Sequence, residues 1–272
     1  MQFHSEGGLE LLSRFSEKSR SINIDEYLFS GAVDNRSIIE IVGTPFTGKS
    51  LLYRFIAKCI LPAQYKKIKI DGCDASAILI DTGHTQISKV AELMTSMICS
   101  ACETAGARLP DEKVDLIVTK SLENLTVISC CDNTQFQLTL HTLEDELLSN
   151  GRVAALLAID NILAYYWRER REKNTNFSMD WYTKSLITLI RARTSQFNIV
   201  TVYTRWDKWE NCVSEHGAQT RHSCPLEQTS IDYRIQFRNE SVPQKFIAHV
   251  QSANETKQVQ CIISDSGIKW IS

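Results

Sequence analysis

Proline and glycine are scarce in this chain, at 5 and 11 of 272 residues. That excludes collagen-like repeats and low-complexity linkers, and without a Pro-rich stretch one folded unit after a short N-terminal segment is the simplest count. An excess of one charge is also missing. Thirty Lys and Arg stand against 32 Asp and Glu, a formal net charge of −2, so any nucleic-acid contact must come from local basic patches rather than a field of the whole molecule. No apolar run approaches the roughly 20 residues of a membrane helix. The opening MQFHSEGGLELL has neither the basic nor the apolar region of a secretory signal. The expectation is a soluble, intracellular protein with no membrane partner.

Nine cysteines are an odd number scattered through apolar stretches, Cys59, Cys130 and Cys261 among them. They read as reduced thiols acting as small hydrophobes. Cys99 and Cys102 form a C-x-x-C inside a helical stretch, with no second pair. Cys212, His216, His222 and Cys224 fall in one polar segment, but their spacing matches none of the common zinc frameworks, so no zinc site is read there.

What the sequence does contain is alternation. Short runs rich in Val, Ile and Leu occur at residues 37–42 (SIIEIV), 77–80 (AILI), 124–130 (NLTVISC), 153–159 (VAALLAI) and 198–204 (NIVTVYT). They are nearly continuous in hydrophobicity, the pattern of strands buried on both faces of a parallel sheet. Helical periodicity predicts helices over 50–60, 87–105, 135–149 and 181–194. In 135–149, Phe136, Leu140, Leu143 and Leu147 recur at spacings of three and four and make one apolar stripe. Strand and helix in repeated alternation predict an α/β fold with a doubly wound, mostly parallel sheet over 31–272, after an N-terminal helical and polar segment, 1–30. At the end, runs 245–250, 258–263 and 268–271 are joined by short links, which predicts antiparallel C-terminal strands. The segment 207–230 is polar, aperiodic and long for a loop. The lysines of Tyr65-Lys66-Lys67-Ile68-Lys69 read as a basic patch or as protection of a strand edge.

The run Gly43-Thr44-Pro45-Phe46-Thr47-Gly48-Lys49-Ser50 fills every position of the phosphate-binding pattern G-x-x-x-x-G-K-[ST]. It stands where that loop must stand, after a buried strand and opening a helix. Gly43 and Gly48 allow backbone angles that turn N–H groups toward phosphate oxygens, and the helix N-terminus adds its positive end. Lys49 would bring an ammonium to the outer phosphates, and the Ser50 hydroxyl would join a Mg²⁺ shell. The apolar run 153–159 ends in Asp160, which fits the acid on the magnesium side of such a site. An ordinary helix cap at a strand end is the other reading. The expected cofactors are therefore ATP and Mg.

These residues resemble the RecA-type recombinase family, and in particular its eukaryotic paralogues. The likeness is carried by LLYRFIAKCILP (51–62), ILIDT (78–82), LLAIDNILAYYWRER (156–170), IDYR (231–234) and ISDSGIKW (263–270), in the family's order over most of the chain. It implies a RecA-like ATPase core and a nuclear adaptor in homologous recombination repair of double-strand breaks. Its partners would be another recombinase paralogue subunit (the D paralogue is the expected one), the main recombinase indirectly, and single-stranded or branched DNA.

Two positions depart from the family pattern. Where active members carry a glutamate after the strand ending Asp81-Thr82, this sequence has Gly83 and then His84. Loss of general-base help typically costs 10²–10⁴ in rate, so nucleotide binding with weak or absent turnover is expected, with His84 the one candidate surrogate base. Where the family offers a Gln at the end of a later strand, this chain has Thr204-Arg205-Trp206, and Arg205 is either a phosphate contact or solvated. The family's two DNA-facing loops would fall near 168–177 and 207–230. Arg168, Arg170, Arg171 and Lys173 beside Tyr165, Tyr166 and Trp167, with Arg221 in the second loop, suit single strands, where charge and stacking both contribute. Glu169 and Glu172 are interleaved and weaken that field. An active DNA-stimulated ATPase and a small-molecule kinase built on the same loop are the alternatives.

Overall fold

Six residues, IIEIVG, form strand β1 (Ile38–Gly43), and every one of them is buried. A strand with no wet face belongs at the centre of a sheet with layers on both sides, and β1 lies there. The computed structural model describes residues 22–31, 33–43, 47–83, 87–149, 154–173, 176–206, 230–240, 244–264 and 267–271, with the backbone alone at 47–49 and 149. From β1 the chain enters helix α1 (Thr47–Ile60), a small hairpin β2 (Gln64–Tyr65) and β3 (Ile68–Lys69), and then β4 (Ser76–Asp81). Helices α2 (Ile87–Thr104) and α3 (Asp111–Leu122) lead to β5 (Leu125–Ser129), and α4 (Asn133–His141) and α5 (Leu143–Ser149) to β6 (Ala154–Asp160). After α6 (Tyr166–Glu172) and α7 (Met179–Thr194) come β7 (Val200–Trp206), β8 (Tyr233–Asn239), β9 (Lys245–Ser252), β10 (Thr256–Ser264) and β11 (Gly267–Ile271).

Nine strands make one mixed sheet in the order β11-β10-β9-β8-β1-β7-β6-β4-β5. The six from β8 to β5 run parallel, and β8 to β11 are antiparallel neighbours. This is the mixed α/β arrangement with antiparallel C-terminal strands that the alternation predicts. The predicted edges hold within two residues for most elements. The helix predicted over 135–149 breaks at Thr142, which caps α4, yet Phe136, Leu140, Leu143 and Leu147 are all buried as one stripe. Strand β5 is the edge and only half buried, so it lacks the two covered faces its hydrophobicity suggested. The lysine-rich run forms the β2–β3 turn, with Lys66 over the Tyr65 ring.

Two cores sandwich the sheet. On one face α1, α2 and α3 pack through Leu51, Phe55, Ile56, Val90, Met94 and Ile117, joined by Ile24, Leu28 and Phe29 from the N-terminal side. On the other, α4, α5 and α7 pack through Phe136, Leu140, Leu143, Tyr182, Leu186 and Ile190. Full burial of such side chains stabilises by about 1.5–3 kcal/mol each before entropy is charged against it. Asp25, 1% exposed, ties three distant pieces together. Its Oδ1 accepts the Tyr27 and Leu28 N–H groups, and its Oδ2 accepts Arg54 Nε of α1 at 3.1 Å and Trp270 Nε1 of β11 at 3.0 Å. The seven described cysteines are free thiols, four of them buried, Cys59, Cys130 and Cys261 among them. No helix among the described residues is long and apolar enough to cross a membrane.

Candidate functional site

The helix that follows β4 lies on one face of the sheet, and those that follow β6 lie on the other. Adjacent strands with connections leaving in opposite directions open a crevice at their carboxyl ends, the preferred ligand position in open α/β sheets. Asp81 and Asp160 end β4 and β6 as register partners in that position. Gly43, at the end of β1, pairs with Trp206 of β7. The fingerprint thus occupies a strand-to-helix turn, with Gly43 closing the strand and Thr47, Gly48, Lys49 and Ser50 opening α1. Thr44, Pro45 and Phe46 lie outside the described residues, as do the side chains of Thr47 and Lys49.

Asp160 is fully buried, and its Oδ1 accepts the Thr204 hydroxyl of β7 at 2.7 Å. Thr82 laces β4 to the same point. Its hydroxyl donates to the Asp160 carbonyl at 2.8 Å and accepts the Asn161 N–H at 3.0 Å. Asp81 Oδ1 accepts the Gly83 N–H at 3.0 Å, which closes the turn after β4. Ser50 would offer a hydroxyl and Asp160 and Asp81 carboxylates, the hard oxygen donor chemistry that suits Mg²⁺. His84 lies outside the described residues. So do Arg221, Cys212, His216, His222 and Cys224, and no cluster of three metal-ligating side chains occurs among the described residues.

Arg205 is paired inside the protein rather than solvated. Its Nε lies 3.1 Å from Glu40 of β1, its Nη1 lies 3.2 Å from Asp180 of α7, and the side chain is 15% exposed. Burial works against its charge, yet Glu40, Tyr203 and Asp180 together hold the guanidinium above its ordinary range. Glu40, itself fully buried, also accepts the Tyr203 hydroxyl at 3.0 Å and pairs with Arg234 of β8, 3% exposed. Burial first and Glu40 second push the Tyr203 phenol well above its usual value. This network joins β1, β7 and β8 three residues before Gly43. One Glu inside SIIEIV hints at it in the sequence, but its partners lie 163 to 194 residues away.

The basic helix α6 is less free than its composition suggests. Arg168 pairs with Glu172 at 2.8 Å, and Lys173 pairs with Glu169. Arg170 lies over the Trp167 ring at 5.7 Å and donates to Asn176 Oδ1 at 3.4 Å. Arg171 is exposed. Of the three aromatics, Tyr166 is core and donates to the Phe177 carbonyl, and Tyr165 donates to the Cys130 carbonyl. Trp167 alone faces solvent, at 47%. The structure adds Trp181 of α7, 59% exposed, on the wall of a groove of about 380 Å³ between α4, α6 and α7. Phe177 and the buried Tyr182 hydroxyl also line it.

No protein-family profile matches the chain, and no curated protein matches it.

Proposed function

We propose that the chain is a RecA-type recombinase paralogue acting in homologous recombination repair, a nuclear adaptor that holds ATP and Mg and turns nucleotide over weakly or not at all. The observation that carries this reading is the position of the fingerprint. The full G-x-x-x-x-G-K-S pattern closes a central buried strand and opens a helix, at the sheet edge where Asp81 and Asp160 also end. The mostly parallel core with antiparallel C-terminal strands agrees with the RecA-like architecture that the resemblance implies. Lys49 and the loop amides would hold the phosphates, and Ser50 with Asp160 would hold the Mg. Bound Mg would neutralise phosphate charge. Thr204 orients Asp160 through its hydroxyl, and Gly83, whose N–H is taken up by Asp81, has no side chain to serve as a base. Strand β1 is tied to β7 and β8 through Glu40, so occupancy of the loop would be felt across the centre of the sheet.

The test is nucleotide binding by the purified chain with Mg, against Lys49→Ala, together with copurification of a second recombinase-fold subunit. The reading expects saturable ATP binding that Lys49→Ala weakens at least tenfold, and a partner complex that survives with nucleotide bound. A chain that binds no nucleotide with Lys49 intact would overturn it. So would DNA-independent ATP consumption raised by a small phosphoacceptor, the kinase outcome.

A further inference from the structure

The groove of about 380 Å³ between α4, α6 and α7 has no part in the nucleotide reading. Its apolar walls include Phe177, Trp181 and Leu186. The rings hold one another in place. Phe177 lies 5.4 Å from Trp181 and stacks on Tyr182 at 5.8 Å, and Tyr166 packs against both Phe177 and Tyr182. Tyr166 is 1% exposed, so the cluster is rooted in the core, while Trp181 keeps most of its surface in water.

The polar side of the groove is unfinished. Tyr182, 3% exposed, lines it. Its hydroxyl faces Glu169 and Gln137 but forms a hydrogen bond with neither, nor with any other described residue. A buried hydroxyl without a partner is costly, and a ligand that bonds to it recovers that cost. Burial first and Glu169 second push the phenol well above its usual value, so it remains an O–H donor at neutral pH. The two charged residues of the lining are already engaged with each other, Lys173 with Glu169, and Asn133 donates to Glu169 as well, at 3.4 Å. A ligand cation would meet Lys173 and an anion would meet Glu169. A neutral ring with one hydrogen-bonding group suits the groove better than either.

We propose that the groove receives a tyrosine side chain of a partner protein. Its volume is near the lower end of the range for ligand pockets, room for one ring system. A phenol both donates and accepts, which suits the Tyr182 hydroxyl and the Gln137 amide, whereas an indole only donates and a phenyl ring does neither. The apolar surface continues past the groove to Trp167, 47% exposed and 5.0 Å from Tyr166, with Arg170 over its ring. A free ring would leave both tryptophans wet, while a side chain carried on a protein surface brings neighbours that cover them. Trp and Arg around a filled pocket are the usual composition of an interface hot spot. A nucleic-acid strand fits poorly, because it would bring phosphate to Glu169. A second copy fits poorly too, since Tyr27, the one exposed tyrosine among the described residues, is stacked on Trp270. The inference is independent of the nucleotide reading.

The experiment uses the full chain and three labelled 12-residue neutral peptides, identical but for a central Tyr, Phe or Ala. The Tyr peptide binds, the Phe peptide at least threefold more weakly and the Ala peptide at least tenfold more weakly, with little dependence on salt. Trp181→Ala weakens the Tyr peptide at least tenfold, and its urea midpoint confirms that the fold is intact. Tyr182→Phe abolishes the preference for Tyr over Phe without lowering the urea midpoint, because the hydroxyl it deletes has no partner in the free protein. Hydrogen-exchange protection of 177–189 by the Tyr peptide on the wild-type chain locates the contact without any variant. Equal binding of the three peptides, a Tyr preference that survives Tyr182→Phe, a midpoint lowered by Tyr182→Phe, or protection elsewhere would overturn the proposal. So would p-cresol binding as tightly as the Tyr peptide, displacement of that peptide by oligo-dT, or a wild-type dimer in sedimentation that Trp181→Ala dissociates.

Discussion

Replacing Glu40 by Met removes the carboxylate on which three side chains converge, and the structure allows the cost to be worked out. Arg205 keeps Asp180, and Tyr203 loses one hydrogen bond. Arg234, 3% exposed, loses its carboxylate partner inside the sheet. Breaking a buried ion pair from one side costs about 3–5 kcal/mol, mainly the penalty of the charge left behind. For a chain of this size each kcal/mol moves the melting temperature by about 2–4 °C, so Glu40→Met lowers it by about 6–20 °C. The double variant Glu40→Met with Arg234→Met removes both charges and returns most of that loss, to within about 2 kcal/mol of wild type. Urea denaturation of the four proteins in the cycle measures both quantities. The reasoning is refuted if Glu40→Met costs less than about 1 kcal/mol, or if the double variant is as unstable as the two single losses added together.

Other expectations follow from the same contacts. Asp25→Ala strips the acceptor from two backbone N–H groups, Arg54 and the Trp270 indole; it should cost about 2–4 kcal/mol by urea denaturation, and faster proteolysis within residues 22–30 would confirm where the loss lies. Tyr203→Phe should flatten the alkaline limb of stability. Burial and Glu40 raise the native phenol well above its unfolded value of about 10, so the wild-type contribution is complete below that pH and is lost as pH rises beyond it; stability measured from pH 8 to 11 should fall less in the variant. Thr204→Val removes the 2.7 Å hydrogen bond that orients Asp160. It should weaken Mg-dependent nucleotide binding by about tenfold to a hundredfold, the worth of one hydrogen bond to a charged group, and leave Mg-free binding unchanged in a titration.

The parts legible in the sequence are those whose signal is local. The phosphate-loop pattern, the strand before it and the helix after it sit within 23 residues, and periodicity fixed α2 and the α4–α5 stripe for the same reason. Strand β8 was not read as a strand because YRIQFRN mixes polar and apolar residues. Its Arg234 is buried only because Glu40, 194 residues earlier, lies beside it in the sheet. Arg205 was open between phosphate and solvent for the same cause, since its partners come from β1 and α7. Helices α3 and α6 were not read, the first because DEKVDLIVTKSL carries charges through most of its length, the second because YWRERRE looked like a basic loop. At the candidate site, Asp160 was legible as the last residue of an apolar run. The Thr82 and Thr204 hydroxyls that hold that strand end were not, because they reach it from other strands.

The proposed function turns on whether the G-x-x-x-x-G-K-S loop binds nucleotide and whether Gly83, without a side chain, leaves it unhydrolysed. ATP turnover by the purified chain, with and without single-stranded DNA and alongside Lys49→Ala, tests it most directly. The expected result is nucleotide bound with little or no turnover, no stimulation by DNA, and a Lys49→Ala variant that loses the binding. DNA-stimulated hydrolysis that disappears in Lys49→Ala would contradict it and make the chain an active ATPase.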